Sequence, residues 1–264
     1  MPLKALLLIA HLLLGLGAAL AIAALDACGA GRRIPRERIA RWWHGDLLRI
    51  LRVHVHARGA PLRAPRLTVA NHVSWLDVPV LGSIEETRFV SRHDVQQWPV
   101  AGQLADACGT FYIVRGKGGA GRVAQRLAPH LAQGGSVVLF PEGTTTDGSA
   151  VLPFHARLFE APLAAGVAVQ PVALRYSRGG DGTALAPFVG ETTLLRHVLR
   201  VLASRELHVE VSYGSALVAD AQTRRDGLAA QAQRWVARVV ARGPFEPAGA
   251  PRRRSGQVAQ MTAR

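Results

Sequence analysis

The 264-residue sequence predicts an α/β fold in which a mainly parallel mixed sheet is flanked by helices, with a membrane helix at the N-terminus. Short apolar, β-branched segments alternate with helical patterns, which is typical of parallel sheets with crossover helices. The segment Ser136–Phe140 is apolar at nearly every position, as expected of a strand buried on both faces. Leu6–Leu25 forms an almost unbroken apolar run.

The individual elements follow from the same patterns. The predicted strands are Arg66–Ala70, Arg88–Ser91, Phe111–Val114, Ser136–Phe140, Val167–Tyr176 and Leu207–Tyr213. The predicted helices of the domain are Gly121–Gln133, Phe154–Ala165, Thr192–Ala203 and Asp220–Ala241. These elements place the α/β domain at residues 61–242. Residues 243–264, with prolines, glycines and three consecutive arginines, are predicted to be a disordered basic tail.

The N-terminal apolar run has the length of a membrane anchor. About 20 apolar residues are enough to cross a bilayer. A cleaved signal peptide is the alternative, because Lys4 precedes the run, but an apolar signal region is usually only about 7–15 residues long. Asp26, two residues before Cys28, makes a poor lipoprotein cleavage site. We therefore expect residues 1–30 to form an uncleaved anchor.

The charge predicts an anionic partner. The formal net charge is +14, which favours binding to an anionic membrane surface or to nucleic acid, and charge alone does not separate the two. Residues 31–60 are predicted to form a basic amphipathic helix at the membrane interface, with Trp42 and Trp43 in its centre. A helix that packs on the domain is the alternative. The arginines that follow the anchor predict that the α/β domain lies on the cytoplasmic side of the inner membrane.

The segment 71–77 (Asn-His-Val-Ser-Trp-Leu-Asp) follows a predicted strand, where α/β proteins place their active sites. His72 and Asp77 are five residues apart and cannot share a helix face, so they can meet only if a turn separates them. Asp77 would then begin a helix with Pro79 in its first turn. In that arrangement Asp77 holds one imidazole nitrogen and the other accepts a proton from a hydroxyl. The alternative is a helix-capping Asp77 beside a structural His72.

Two further segments predict a polar cleft. Arg115 ends a strand and precedes a glycine-rich loop with Lys117, which favours an anion site, although a flexible basic turn is the alternative. Glu142, Gly143 and Thr144 follow the apolar strand Ser136–Phe140. A carboxylate there needs a partner, and Arg115 is the natural one.

Pro171 and the histidines near residue 55 are weaker signals. Pro171 lies inside a predicted strand and indicates an edge or a bulge that shapes the cleft wall. His54 and His56 offer two possible metal ligands without a third, so no metal site is predicted. The two cysteines, Cys28 and Cys108, predict neither a disulfide framework nor a zinc site.

Four segments together resemble the glycerolipid acyltransferase family. The residues 71–77 match its NHxxxxD motif and 140–144 (Phe-Pro-Glu-Gly-Thr) match its FPEG[ST] motif, while the stretches with Arg115 and Pro171 resemble the two remaining blocks in the same order. The resemblance covers roughly residues 40–215 and is greatest to the bacterial 1-acyl-glycerol-3-phosphate acyltransferases. The segment that includes Leu152-Pro153-Phe154 also resembles lyso-ornithine lipid acyltransferases.

The resemblance implies a glycerol-3-phosphate acyltransferase-like fold and a mechanism. His72 is the expected general base and Asp77 its partner, and the acceptor site is assigned to Arg115 on the phosphate with Lys117, Glu142, Gly143, Thr144 and Pro171. The acyl group would pass directly from acyl-CoA or acyl carrier protein to the sn-2 hydroxyl of 1-acyl-glycerol-3-phosphate, giving phosphatidic acid. No cofactor and no metal are expected, and a GxSxG nucleophile is absent from the sequence.

Three alternatives remain open at this point. The acceptor could be another lysolipid, such as lyso-ornithine lipid. A metal-dependent hydrolase could use His72, Asp77 and Glu142. A basic nucleic-acid-binding protein is the alternative from outside the enzymes, but the apolar N-terminus and the lack of a recognised binding module argue against it, so no nucleic-acid partner is predicted.

Overall fold

The computed structural model describes residues 2–31, 34–63, 65–114, 116, 118–177, 185–220 and 222–247. Arg115 and Lys117 lie outside the described residues, so the roles predicted for them stay predictions. Most of the predicted basic tail lies outside them as well. Its first residues, 243–247, are described, and Phe245 among them is buried, with its amide donating to the carbonyl of Tyr176.

Seven strands form one mixed sheet within the described residues. They are β1 Val53–Arg58, β2 Arg66–Ala70, β3 Arg88–Arg92, β4 Phe111–Ile113, β5 Ser136–Leu139, β6 Ala168–Tyr176 and β7 Leu207–Tyr213. Their order is β1-β7-β6-β2-β5-β3-β4, and β6 pairs antiparallel with β7 while the other neighbours are parallel. The predicted α/β class with a mainly parallel mixed sheet is therefore confirmed.

Helices cover both faces of this sheet. They are α1 Pro2–Ala27, α2 Arg36–Leu51, α3 Asp77–Ile84, α4 Ala101–Ala107, α5 Gly119–Ala132, α6 Glu160–Ala165, α7 Leu194–Ala203 and α8 Arg225–Val240. One core joins the sheet to α2, α3 and α7, and a second core on the opposite face joins it to α5, α6 and α8. Every residue of β2 and β5 is buried, because these central strands are covered on both sides.

The structure corrects the segment predicted as one interfacial helix over 31–60. Helix α2 ends at Leu51, where Arg52 takes a left-handed conformation with φ of 57°. The following residues, Val53–Arg58, form β1 and pair with β7, so the sheet begins before residue 61. The sequence Val-His-Val-His that follows Arg52 alternates with the period of a strand, which favours pairing with β7 over a further helical turn.

Two other predictions needed correction. The helix expected over Phe154–Ala165 is shorter, because Ala156–Phe159 forms a 3₁₀ turn and the α-helix starts at Glu160. Pro171 lies in an interior strand, since β6 pairs with β2 on one side and with β7 on the other. The structure does contain a bulge next to Pro171. Between the pairs Val172↔Tyr213 and Val169↔Leu217, the two residues Gln170 and Pro171 lie opposite three residues of the partner segment.

Helix α1 has one face on the domain and one face exposed. Leu8, His11, Gly15 and Ala19 are its buried residues, and the His11 ring stacks on Trp43 of α2 with centroids 4.6 Å apart. The exposed side carries leucines and an isoleucine at positions 6, 7, 9, 13, 14 and 20. In the parts of the chain that the structure describes, this helix is long and apolar enough to cross a membrane.

Candidate active site

The two most specific sequence motifs meet at the carboxyl ends of adjacent strands. Strands β2 and β5 are parallel neighbours, with Val69 opposite Leu139, so the residues that follow them emerge at the same edge. The amide of Thr146 donates to the carbonyl of His72 at 2.8 Å, which ties the loop after β5 to the loop after β2. The site is thus built where an open parallel sheet usually holds its ligands.

Asp77 accepts four hydrogen bonds at the centre of this site. It is the first residue of α3 and is fully buried. Its Oδ2 accepts hydrogen bonds from His72 Nδ1 at 2.9 Å, from the Val73 amide at 2.7 Å and from the Ser74 amide at 2.8 Å. Its Oδ1 accepts from the Tyr176 hydroxyl at 2.7 Å. Four donors therefore stabilise the carboxylate in the interior, where an unpaired charge would be costly.

The turn at Trp75 and Leu76 brings His72 back to Asp77, as the five-residue spacing requires. Because an ionised carboxylate only accepts, Nδ1 of His72 carries the proton of this hydrogen bond, and the lone pair on Nε2 is left to accept another proton. The Phe140 ring stacks on the imidazole at 4.1 Å with 12° between the planes. Asp77 and Phe140 together fix the orientation of a ring whose side chain is 20% exposed.

Glu142 joins the two motifs through the backbone. Its Oε1 accepts from the His72 amide and its Oε2 from the Leu152 amide, both at 2.7 Å. The side chain is buried, and this burial raises the pKa of Glu142 although the two amides act in the opposite direction. The structure thus gives Glu142 a positioning contact with His72. Its predicted contacts with the acceptor and with Arg115 stay predictions.

Gly143 and Thr144 occupy the exposed turn after Glu142. Gly143 has a φ of 71°, in the left-handed region that side chains other than glycine rarely adopt. A Cβ at this position would lie 3.1 Å from Nε2 of His155, a tight contact that the imidazole would have to relieve by moving a few tenths of an ångström. Pro171 is buried on β6 opposite Val69 of β2, which lies three residues before His72.

The structure adds two positioning residues that the sequence analysis missed. Asn71 is fully buried and makes two hydrogen bonds to the backbone of Leu174 on β6, at 3.0 and 2.8 Å. Tyr176 ends β6 and donates to Asp77, and burial, followed by the nearby Asp77 charge, raises its pKa well above the ordinary value, so its hydroxyl keeps the donated proton. The position of Tyr176 at the carboxyl end of a predicted strand, where α/β proteins place their sites, was the available signal for the second of these.

The hydrogen bonds to Asp77 limit which backbone amides can stabilise the oxyanion. The backbone amides that follow His72 are candidates for binding the oxyanion, but those of Val73 and Ser74 already donate to Asp77. The tetrahedral oxyanion therefore needs a different donor. The carboxylates of Asp77 and Glu142 also accept N–H donors at short distance, and a metal ion would have to displace these donors, which does not suit the hydrolase alternative.

Replacing Tyr176 with phenylalanine tests its positioning contact. A hydrogen bond to a charged group contributes about 1.5–3 kcal/mol, so we expect a lower melting temperature. If about 1.4 kcal/mol of this interaction supports the transition state, kcat falls about tenfold, while KM changes little. Tyr112→Phe is the matched control, because the Tyr112 hydroxyl also donates to a carboxylate, that of Asp106, on the exposed surface. An unchanged kcat in Tyr176→Phe would contradict the positioning role.

A histidine held by a buried carboxylate at the carboxyl edge of a mainly parallel sheet is an arrangement suited to an enzyme that transfers a group to a hydroxyl, and the NHxxxxD and FPEG motifs resemble those of acyltransferases. The family described as Acyltransferase matches residues 52–175 of this chain. A lyso-ornithine lipid O-acyltransferase of Pseudomonas aeruginosa is 43% identical over 201 residues, covering 76% of this chain and 78% of the relative. The chain therefore belongs to the acyltransferase family, as the motifs predict.

Other relatives and one crystal structure agree with this placement. A lyso-ornithine lipid O-acyltransferase of Rhizobium meliloti is 38% identical over 207 residues, covering 72% of this chain and 70% of that one. A 1-acyl-sn-glycerol-3-phosphate acyltransferase of Neisseria gonorrhoeae is 31% identical over 161 residues, covering 61% and 62%. The crystal structure of the 1-acyl-sn-glycerophosphate acyltransferase PlsC from Thermotoga maritima has a TM-score of 0.61, with 18% identity and coverage of 88% and 96%, and shows the same fold.

Proposed function

We propose that this acyltransferase moves a fatty acyl group from a thioester donor to the hydroxyl of lyso-ornithine lipid. The observation that carries the proposal is the 43% identity with a lyso-ornithine lipid O-acyltransferase over three quarters of the chain. A feature of the site supports it. The segment Leu152-Pro153-Phe154, which resembles that class, begins with the amide that holds Glu142.

The proposed chemistry uses the described dyad directly. Nε2 of His72 removes the proton of the acceptor hydroxyl as its oxygen attacks the thioester carbonyl, and the carboxylate of Asp77 stabilises the imidazolium that forms. The tetrahedral intermediate then collapses, the C–S bond breaks and the ester forms. The imidazolium returns its proton to the departing thiolate. The donor is acyl-CoA or acyl carrier protein, and the reaction balances without a cofactor.

The second candidate acceptor is 1-acyl-glycerol-3-phosphate, which the sequence analysis favoured. Relatives named as acyltransferases of this acceptor are 31% identical to the chain, and the FPEG motif is shared with that class. The predicted phosphate contact of Arg115 does not separate the candidates, because a guanidinium binds a carboxylate, such as that of ornithine, as well as a phosphate. The higher identity places lyso-ornithine lipid first.

The exposed face of α1 is the proposed membrane contact. Its apolar side chains lie on the side of the helix turned away from α2, and burying them in acyl chains removes them from water. The basic residues of α2 and the net charge of +14 favour the anionic headgroups of the cytoplasmic leaflet. We therefore propose that the active site lies at the cytoplasmic surface of the inner membrane, where a lysolipid acceptor resides.

An acyl-transfer assay on purified full-length protein in detergent tests the proposal. Labelled acyl-CoA and labelled acyl carrier protein are supplied separately, with lyso-ornithine lipid, 1-acyl-glycerol-3-phosphate and other lysophospholipids as acceptors. We expect the highest kcat/KM with lyso-ornithine lipid and loss of product in His72→Ala. A preference for 1-acyl-glycerol-3-phosphate would keep the mechanism and reject the first acceptor. If neither donor transfers its acyl group to any of the acceptors, the proposed function is rejected.

A further inference from the structure

A second cluster of ionisable side chains lies on the edge of the sheet, away from the dyad. Strands β1 and β7 are parallel, with His54 directly opposite His208 and His56 opposite Glu210. Alternate residues of a strand share a face, so His54, His56 and His208 all project from the same side. Glu206, immediately before β7, lies next to this group. The sequence alone shows two of these histidines, and the pairing with β7 supplies the rest.

Three of these side chains converge on one point. Nε2 of His54 lies 3.6 Å from one carboxylate oxygen of Glu206, and Nε2 of His208 lies 3.6 Å from the other. One ligating atom from each of the three residues lies within 4.8 Å of the other two. Two ligands about 2.0–2.1 Å from a tetrahedral zinc ion are about 3.4 Å apart. This is close to the 3.6 Å between each histidine Nε2 and its nearer oxygen of Glu206.

The ring nitrogens of His54 and His208 can be brought to ligand distance from each other by rotation of the exposed His54 ring. The His54 and His208 rings are stacked, with centroids 4.8 Å apart and planes at 20°. The side chain of His54 is 50% exposed and that of Glu206 is 59% exposed, so both can turn towards an ion without displacing the core. Water would complete the fourth position, as in open three-ligand zinc sites.

His56 supplies the support that metal-binding histidines usually have. Its Nε2 lies 3.0 Å from Nδ1 of His208. When Nδ1 of His208 donates in this hydrogen bond, Nε2 of His208 keeps its lone pair and is turned to the side of Glu206. His56 is itself packed against Phe245, with ring centroids 4.9 Å apart, which limits its movement. The cluster thus contains both the ligands and an orienting partner.

We propose that His54, Glu206 and His208 bind a zinc ion that fastens edge strand β1 to β7. Two imidazoles and one carboxylate suit zinc, whereas magnesium and calcium prefer sites made of oxygen ligands alone. The site is separate from the acyl-transfer dyad, because β7 and β6 lie between β1 and β2. An ion held by both strands binds the folded protein better than the unfolded chain and therefore stabilises the fold.

Calorimetric titration of the untagged full-length protein with ZnCl₂ in a non-chelating buffer tests this proposal. We expect saturable binding of one ion per chain and a rise in the melting temperature. His54→Asn, His208→Asn and Glu206→Gln should each weaken binding at least tenfold, and His56→Ala by about 10–100-fold. His93→Asn, which alters an exposed histidine in the 3₁₀ turn after β3, should bind zinc as the wild type does.

The exposure of His54 and Glu206 keeps the test valid if His208→Asn fails to fold. Melting curves without zinc should be the same for His54→Asn, Glu206→Gln and the wild type, which would show that the loss is one of binding. No saturable uptake by the wild type would overturn the proposal. Uptake that persists at wild-type affinity in both exposed variants would also overturn it, because the ion would then be held elsewhere. Neither readout depends on acyl transfer.

Discussion

Replacing His72 with alanine is expected to lower kcat for acyl transfer about 10²–10⁴-fold, which is the usual contribution of a general base. The imidazole is held by Asp77 at 2.9 Å and by stacking on Phe140, so Nε2 is already oriented for a hydroxyl. Removing the ring leaves the acceptor hydroxyl to be deprotonated by water. The measurement is kcat at saturating donor and acceptor, with the melting temperature recorded for each variant.

The control for this change is His93→Ala, which removes an exposed imidazole outside the site. We expect wild-type kcat from the control and little change in the KM of either substrate for His72→Ala, because the base acts on the transition state. A folded His72→Ala protein that turns over at the wild-type rate would show that another group removes the proton.

The pair of His72 and Asp77 could be predicted from sequence because the features that bring them together lie within a short segment of the chain. His72 and Asp77 are separated by a turn and a helix start that Pro79 favours, and each of these signals lies within a few residues of the next. The fold class was equally accessible, since the apolar segments that became β2 and β5 are covered on both faces.

The positioning residues could not be predicted, because their contacts cross long distances in the chain. Tyr176 reaches Asp77 across 99 positions and Asn71 reaches Leu174 across 103, and both contacts exist only because β6 lies beside β2. The same limit applies to the partners of Glu142 that the structure adds, the amides of His72 and Leu152, which no property of a side chain reveals. The contact that charge suggests between Glu142 and Arg115 stays a prediction, because Arg115 lies outside the described residues.

Strand β1 was missed for a related reason. Its residues follow an amphipathic helix without a glycine or proline between them, so the sequence favoured continuing the helix through this segment, within the predicted range 31–60. The pairing partner that makes Val53–Arg58 a strand lies about 150 residues later, in β7. Recognising the strand is what turns His54 from an isolated histidine into a member of the cluster with Glu206 and His208.

Replacing Asp77 with asparagine is expected to lower kcat by up to about 10⁴, the effect known for the equivalent change in a histidine–aspartate pair. The amide oxygen of asparagine can still accept from the Val73 and Ser74 amides, and its nitrogen can donate to the Tyr176 oxygen. The turn is therefore retained while the negative charge that stabilises the imidazolium is lost. Asp94→Asn, the same change in an exposed turn, is the matched control.

Combining the two substitutions separates a role through His72 from an independent one. If Asp77 acts by holding and stabilising the imidazole, Asp77→Asn should cost little further activity once His72 is alanine, because residues that act as a unit are not additive. Multiplicative losses in the double variant would instead give Asp77 a function of its own. Asp77→Ala should also unfold at lower temperature than Asp77→Asn, since it leaves the buried Val73 and Ser74 amides without their acceptor.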